Sequence, residues 1–345
     1  GHVDEGSRQV FERVSSHPSG AVDGFVTDAV LTRMAERAGK HTLSTLEGSQ
    51  RGNNKLLLHK HIAGLGLPVF DTEIAEAPED LTRCLHALAD RGYDCAAVKS
   101  QIGASGVGLA KVGTARPEAV ILADLFFHEG PCLVQGWMKP GLHGVIEMLS
   151  PSVQLFLNDT SVQLYDMTEQ ILGDDSVHEG NEAPPPYLGR FPGLADELNR
   201  QAGIAGEWLH AQGYRGTASV DFIVARTSEG ETRVYVCEIN ARLTGATYPS
   251  LLARHFVPGG GWLMRNLKLA DPTSGLTLLK LLEDHGHLFE PGRGAGILPF
   301  NFNLNPDDLV EKGQFLCLGK SSQDCREMLH HAEHDLPIDW DYVRD

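Results

Sequence analysis

Two apolar, alternating runs flank a polar turn in this chain: Ser219-Val-Asp221-Phe-Ile before Thr227-Ser-Glu-Gly230-Glu, and Val234-Tyr-Val-Cys-Glu238-Ile-Asn240-Ala-Arg242 after it. That pattern predicts an antiparallel hairpin over 217–242. Period two puts Glu238 and Asn240 on one face, and Asp221 on the partner arm can lie near them. Two carboxylates and a carboxamide offer oxygen donors alone, a set that suits Mg²⁺ together with phosphates. The run from Val234 to Ile239 is almost continuously apolar, so the arm is expected to be covered on both faces. A glutamate there needs a counter-charge, and a metal ion supplies one. Arg242 adds a fixed cation suited to a carboxylate or to developing phosphoryl charge; a salt bridge to Glu238 is the plainer reading. Taken singly, Asp221 also reads as an edge-strand acid and Glu238 as a solvent-facing residue.

With 345 residues, the chain suits two or three packed subdomains. A net charge of −17 argues against a nucleic-acid partner, because such binding needs clustered Lys and Arg. An anionic ligand then requires a locally basic pocket or a metal. No apolar run reaches the roughly 20 residues that span a bilayer, and a cytoplasmic location is expected. Six scattered cysteines form no C-x-x-C pair and are expected as reduced, mostly buried thiols. The histidine pairs His59/His61, His285/His287 and His330/His331 lack metal-binding spacing and read as surface residues. His143 is a candidate substrate contact.

The spacing predicts helices over 21–40, from Asn54 to Gly64, over 78–91, 116–128, 194–212, 248–256 and 321–334. Strands are expected at 95–99 and 108–112, at 132–138, in the 144–166 region, and near 294–302 and 314–319. Residues 173–192, rich in Gly, Asp and Pro, read as an extended loop. Between the first two strands lies Gly103-Ala-Ser105-Gly106-Val107-Gly108. Small residues let backbone N–H groups approach phosphate oxygens, and Lys99 adds charge, although a plain hairpin has the same composition.

Val-Asp221-Phe, a turn, then Glu238-Ile-Asn240-Ala-Arg242 resembles the metal-binding hairpin of the ATP-grasp superfamily. Other segments match that family in order. Ala97-Val-Lys99 with its glycine-containing loop resembles the family's phosphate-covering strand and loop. Asn53-Asn-Lys55 is similar to its Asn-Asp-Lys element, with Asn54 where Asp is commoner; as a bare sequence, Lys55 reads as a solvated lysine in a first helical turn. Leu133-Val-Gln135-Gly136-Trp137-Met138 resembles the strand and linker that read adenine, with Gly136 where many relatives carry an acid for the ribose. A core strand with a buried Trp is the alternative. Ser150 to Gln154, Thr168 to Leu172 and Glu238 to Thr247 look most like peptide-forming members, related to pheganomycin-type peptide ligases.

The resemblance implies an α/β (α+β) ATP-grasp fold, with two α+β subdomains gripping ATP and a short N-terminal region. Its expected divisions are 1–50, a reduced or truncated N-terminal region; 51–138, the small subdomain; 139–275, the large subdomain; and 276–345, a C-terminal segment completing the core. It further implies an ADP-forming carboxylate–amine ligase that works through an acyl phosphate. Asp221, Glu238 and Asn240 would hold Mg²⁺, or Mn²⁺ in its place. Lys55, Lys99, Ser105, Gly106, Val107, Gln135, Gly136, Trp137 and Met138 would bind ATP, and Arg242 and Lys99 would act in catalysis. The expected partners are a small-molecule acid and amine, an amino acid or short peptide among them, with no membrane and a homodimer as the assembly to test. A small-molecule kinase on the same cradle and a non-catalytic ATP-binding module are the rival readings.

Overall fold

The computed structural model describes residues 5–103, 107–122, 124–173, 178–332 and 334–339. The chain divides into two compact units. The first takes everything up to Met148, Leu155–Tyr165 and Asn199–Leu243; the second takes Leu149–Gln154, Asp166–Leu198 and the chain from Thr244 onward.

In the first unit, four antiparallel strands lie in the order Thr72–Ala75, Cys132–Gly136, Cys95–Lys99, Leu109–Gly113. Helix Leu81–Asp90 buries Leu81, Cys84, Leu85 and Leu88 against Ala75, Ala96, Val98, Cys132 and Val134 of this sheet. Alternation then turns Ala97, Lys99, Leu133 and Gln135 to the opposite face, where Ala97 pairs with Gln135 and Lys99 with Leu133. A second helix, Lys55–Gly64, starts where Asn54 accepts the Leu57 N–H, as an N-cap should, and buries Leu56, Leu58 and Ile62. The same unit holds the hairpin, Gly216–Thr227 and Thr232–Asn240.

The second unit is built on antiparallel strands in the order His178–Ala183, Gly261–Thr273, Val310–Gly319, Gly296–Leu304. Helices Gly275–Asp284 and Ser322–Ala332 pack on it through Leu278, Leu282, Cys325 and Leu329. Helix Thr247–Phe256 contributes Ala253 to a separate cluster around Trp262 and Met264.

Several sequence expectations are corrected. The helix expected over 21–40 is confined to Ala29–Arg37, with Ala21–Val22 a short strand. Within 173–192, His178–Ala183 is a strand, because Asn181 and Glu182 are buried and paired on both sides despite their polar character, and buried Ala183 pairs with Trp262. Residues 116–128 form two short 3₁₀ turns, Pro117–Ala119 and Asp124–Phe127, rather than a helix; the single-turn pieces fit a segment begun by a proline. Strand Gly261–Thr273 and helix Gly275–Asp284 went unrecognised, since the strand opens on a glycine run and ends in Asp-Pro-Thr, both turn signals by composition. All six cysteines are free thiols, with Cys84, Cys132, Cys317 and Cys325 buried. Among the described residues no helix is long and apolar enough to cross a membrane.

The second unit carries one carboxylate with an inverted titration. Burial pushes Glu169 up to about 7, against hydrogen bonds from the Tyr187 hydroxyl and the Ser150 N–H; the Glu182 charge directly opposite raises it further. The folded chain therefore holds a proton there at pH values where the unfolded chain, near 4.5, has lost it. Stability from this group is full at low pH and drains away as pH rises towards about 7. Thermal melts of wild type and Glu169→Gln should diverge across that window, with the variant gaining relative to wild type as pH increases.

Candidate active site

The hairpin register places the acids. Asp221 pairs directly with Glu238, and Ser219 with Asn240, so all four side chains share one face. Between these pairs and the next, Phe222 opposite Val236, the second arm carries one extra residue, Cys237, a β-bulge. Asn240 Nδ2 donates to Asp221 Oδ2 at 2.9 Å, and Ser219 Oγ donates to Asp221 Oδ1 at 3.2 Å. The Asn240 amide oxygen accepts from Arg242 Nη2 at 2.6 Å, while Arg242 Nη1 donates to the Leu243 carbonyl. Arg242 thus orients the amide, and its guanidinium lies 5.5 Å from the Phe25 ring centroid.

Glu238 takes its ion pair from Lys55, with Nζ 3.1 Å from Oε2. The Lys55 side chain is 14% exposed and that of Glu238 28%, which removes both the solvated-lysine and the solvent-facing-acid readings. Lys55 also donates to the Gly103 carbonyl at 2.9 Å. Burial pushes the Glu238 carboxyl up, but the Lys55 and Lys99 cations outweigh it and hold the group below the ordinary carboxylate range. Lys99, at the end of its strand, reaches Cys237 Sγ at 3.7 Å, a thiol that burial keeps protonated. Glu238 thereby feels the positive charges of Lys55, Lys99 and Arg242, a local concentration of cations in an acidic chain.

Oxygen donors from Asp221, Glu238 and Asn240 fit Mg²⁺, which takes one or two carboxylates and completes its shell with water and phosphate. Among the described residues no three His, Cys, Asp or Glu side chains converge to hold a metal.

The other expected contacts are distributed as follows. Ser105 and Gly106 lie outside the described residues, and Val107 is well exposed. Gly108 has φ +75°, and a Cβ there would fall 2.0 Å from Ser100 Oγ; the hairpin closure itself demands that glycine. Gln135 is buried, with Nε2 donating to Thr72 Oγ1 at 3.1 Å. A Cβ on Gly136 would meet the Tyr93 ring at 2.4 Å, which explains the glycine at this position. Trp137 is half-buried, its ring lies beneath Lys111 Nζ at 4.7 Å from the ring centroid, and its backbone N–H donates to the Cys95 carbonyl. Met138 and His143 line a cavity of about 310 Å³ with Phe70, Tyr93, Arg233 and Tyr235. Lys55, Lys99, Gln135 and Cys237 line a neighbouring one.

Asn53 was not singled out as a site residue from sequence. Its Oδ1 accepts from the Ala241 N–H at 3.0 Å and its Nδ2 donates to the Ala241 carbonyl at 3.3 Å, so one amide clamps the residue between Asn240 and Arg242. Gly52 permits this approach, since a Cβ there would meet Ala241 at 2.8 Å and Leu209 at 2.3 Å. The only sequence hint was its position in Asn53-Asn54-Lys55.

The fold matches N5-carboxyaminoimidazole ribonucleotide synthetase in its ADP complex, with TM-score 0.60, 14% identity, and coverage of 95% of this chain and 84% of that one. It also matches biotin carboxylase from Campylobacter jejuni, with TM-score 0.67, 12% identity, and coverage of 96% and 77%. A third match is the biotin carboxylase domain dimer of Hydrogenobacter thermophilus 2-oxoglutarate carboxylase, in complex with MgADP and bicarbonate, with TM-score 0.63, 13% identity, and coverage of 96% and 77%. The chain has the ATP-grasp fold. Among curated proteins it is similar to the butirosin acyl-carrier protein–L-glutamate ligase of Niallia circulans, 30% identical over 205 residues, which is 59% of this chain and 45% of that protein. The match therefore spans less than half the length of that relative. No family model matches the chain.

Asn53→Asp keeps shape but turns the donor facing the Ala241 carbonyl into an acceptor. It should lower stability by about 1–3 kcal/mol in denaturant titrations, the cost of unsatisfied buried groups, and Asn53→Ala should fall in the same range.

Proposed function

We propose that the chain is an ATP-dependent, ADP-forming carboxylate–amine ligase that uses an amino acid or short peptide as a substrate. The observation that carries this reading is Glu238, held ionised beside Lys55 and directly opposite Asp221, with Lys99 and Arg242 within the same unit. That arrangement suits the triphosphate of ATP, since it combines oxygen donors for a divalent cation with free positive charge for phosphate. Nucleotide complexes of proteins with the same fold support it, as does the name of the curated relative for an amino-acid substrate.

In the proposed reaction the acid's carboxylate oxygen attacks the γ-phosphorus of ATP as the bond to the β,γ-bridging oxygen breaks, giving acyl phosphate and ADP. The amine nitrogen then attacks the acyl carbon, phosphate leaves with the bonding pair, and the amine proton passes to solvent. Such chemistry asks the protein for positioning and charge neutralisation rather than a covalent intermediate. Lys55 and Lys99 neutralise phosphate oxygens. Arg242, locked on the Asn240 amide and the Leu243 carbonyl, presents a fixed cation to the acid or to the oxyanion formed at its carbon. Asp221, Glu238 and Asn240 would hold Mg²⁺, which when bound shields the phosphate charge and polarises the phosphoryl oxygens.

Incubation with ATP, Mg²⁺ and pooled acids and amino acids tests the reading through release of ADP and inorganic phosphate. Phosphate release that ignores every added amine would count against ligation, and ADP without phosphate would indicate a kinase. Glu238→Gln should abolish turnover while the chain stays folded. Arg242→Lys, which loses the planar fork, should lower kcat by about 10²–10³-fold with a smaller change in the KM for ATP.

A further inference from the structure

We propose that the Phe70 side chain is a gate: it is seated where the base of the nucleotide has to stack, and it must leave Tyr235 before the triphosphate site can fill. The inference rests on the ATP-binding reading above.

Phe70 lies in the segment between helix Lys55–Gly64 and strand Thr72–Ala75, where no strand ladder holds it. It is nevertheless 8% exposed. Its ring stacks on Tyr235 with centroids 4.8 Å apart and planes 18° from parallel. A flat, offset pair of this kind is the arrangement a nucleobase adopts on an aromatic side chain. Lys99 Nζ lies 5.8 Å from the same phenyl centroid, so a cation intended for phosphate is engaged with this ring.

Val69 and Phe70 are walls common to two cavities. One, with Tyr93, Met138 and Tyr235, measures about 310 Å³. The other, with Lys55, Lys99, Gln135 and Cys237, measures about 10 Å³. Space of that size holds about one water and cannot admit a phosphate. A nucleoside triphosphate needs both compartments at once, a flat base on an aromatic surface and its phosphates at the lysines.

The hairpin shows that the two are in reach of each other. Asp221, Ile223 and Ala225 share one face of their strand, and Ile223 pairs with Tyr235 as Asp221 pairs with Glu238. The base seat therefore lies about 7 Å along the strand from the carboxylates. Rotation of the Phe70 ring off Tyr235 joins the cavities, vacates the stacking surface and releases Lys99. Because only the open form is competent, the apparent affinity is reduced by the open fraction.

Calorimetric titration of the full chain with Mg²⁺–ATP tests the gate in wild type, Phe70→Ala, Phe70→Leu and Tyr235→Ala, with thermal melts confirming that each is folded. Phe70→Ala should tighten ATP binding by about two- to tenfold, the range an aromatic pair is worth. Phe70→Leu should tighten it less and keeps most of the core volume if the alanine variant does not fold. Tyr235→Ala should weaken it. Binding that is weakened or unchanged in both Phe70 variants, with ATP still bound by wild type, overturns the gate alone. Absence of ATP binding in every folded variant overturns the nucleotide reading and the gate with it.

Discussion

A carboxylate on a covered strand keeps its charge only beside a cation, and the Lys55–Glu238 ion pair meets that condition at 3.1 Å. Much of the first unit can be read as what is needed to bring those two groups together. Asn54 caps the helix whose first residue is Lys55, and the Lys55 N–H is anchored on the Gln101 carbonyl. On the other side, the hairpin register presents Glu238 on the face of Asp221, and the bulge at Cys237 accommodates the extra residue in that arm. Asn53, adjacent to the cap, ties the same turn to Ala241. One short element, Asn53-Asn54-Lys55, thus supplies the clamp, the cap and the counter-ion.

The two units handle buried carboxylates differently. In the first, the Lys55 and Lys99 cations outweigh burial and hold Glu238 below the ordinary carboxylate range. In the second, burial outweighs the hydrogen bonds to Glu169, which holds its proton up to about 7, while Glu182 opposite makes a two-point contact with Arg326. In the proposed site, ionisation is what a divalent cation and phosphate would require. In the second unit the cost of burial is met by protonation at Glu169 and by direct pairing at Glu182.

Local pattern made a good part of this legible from sequence. The hairpin, the helix from Asn54 and Lys99 at a strand end follow from alternation, capping residues and turn composition, all of which act within a few residues. Pattern failed where neighbours override composition. His178–Ala183 is polar and close to Gly and Pro, yet it is a strand because partners on both sides take its backbone groups. Gly261–Thr273 was hidden by turn residues at its ends and is defined by its ladder with Val310–Gly319.

The site divides along the same line. Sequence by itself put Glu238 and Asn240 on one face, because they are two apart on an alternating strand; it was the bulge at Cys237 that turned that face towards Asp221. It also supplied the three cations. Tertiary structure alone decided which cation meets which acid: Glu238 pairs with Lys55 and not with Arg242, which turns to the Asn240 amide. It alone set Phe70 on Tyr235 and joined Asn53 to Ala241 across 188 positions of chain. The physical reason is range. Side-chain alternation is a property of neighbouring residues, whereas a salt bridge, a ring stack or an amide clamp exists only once the chain has brought distant groups within a few ångströms.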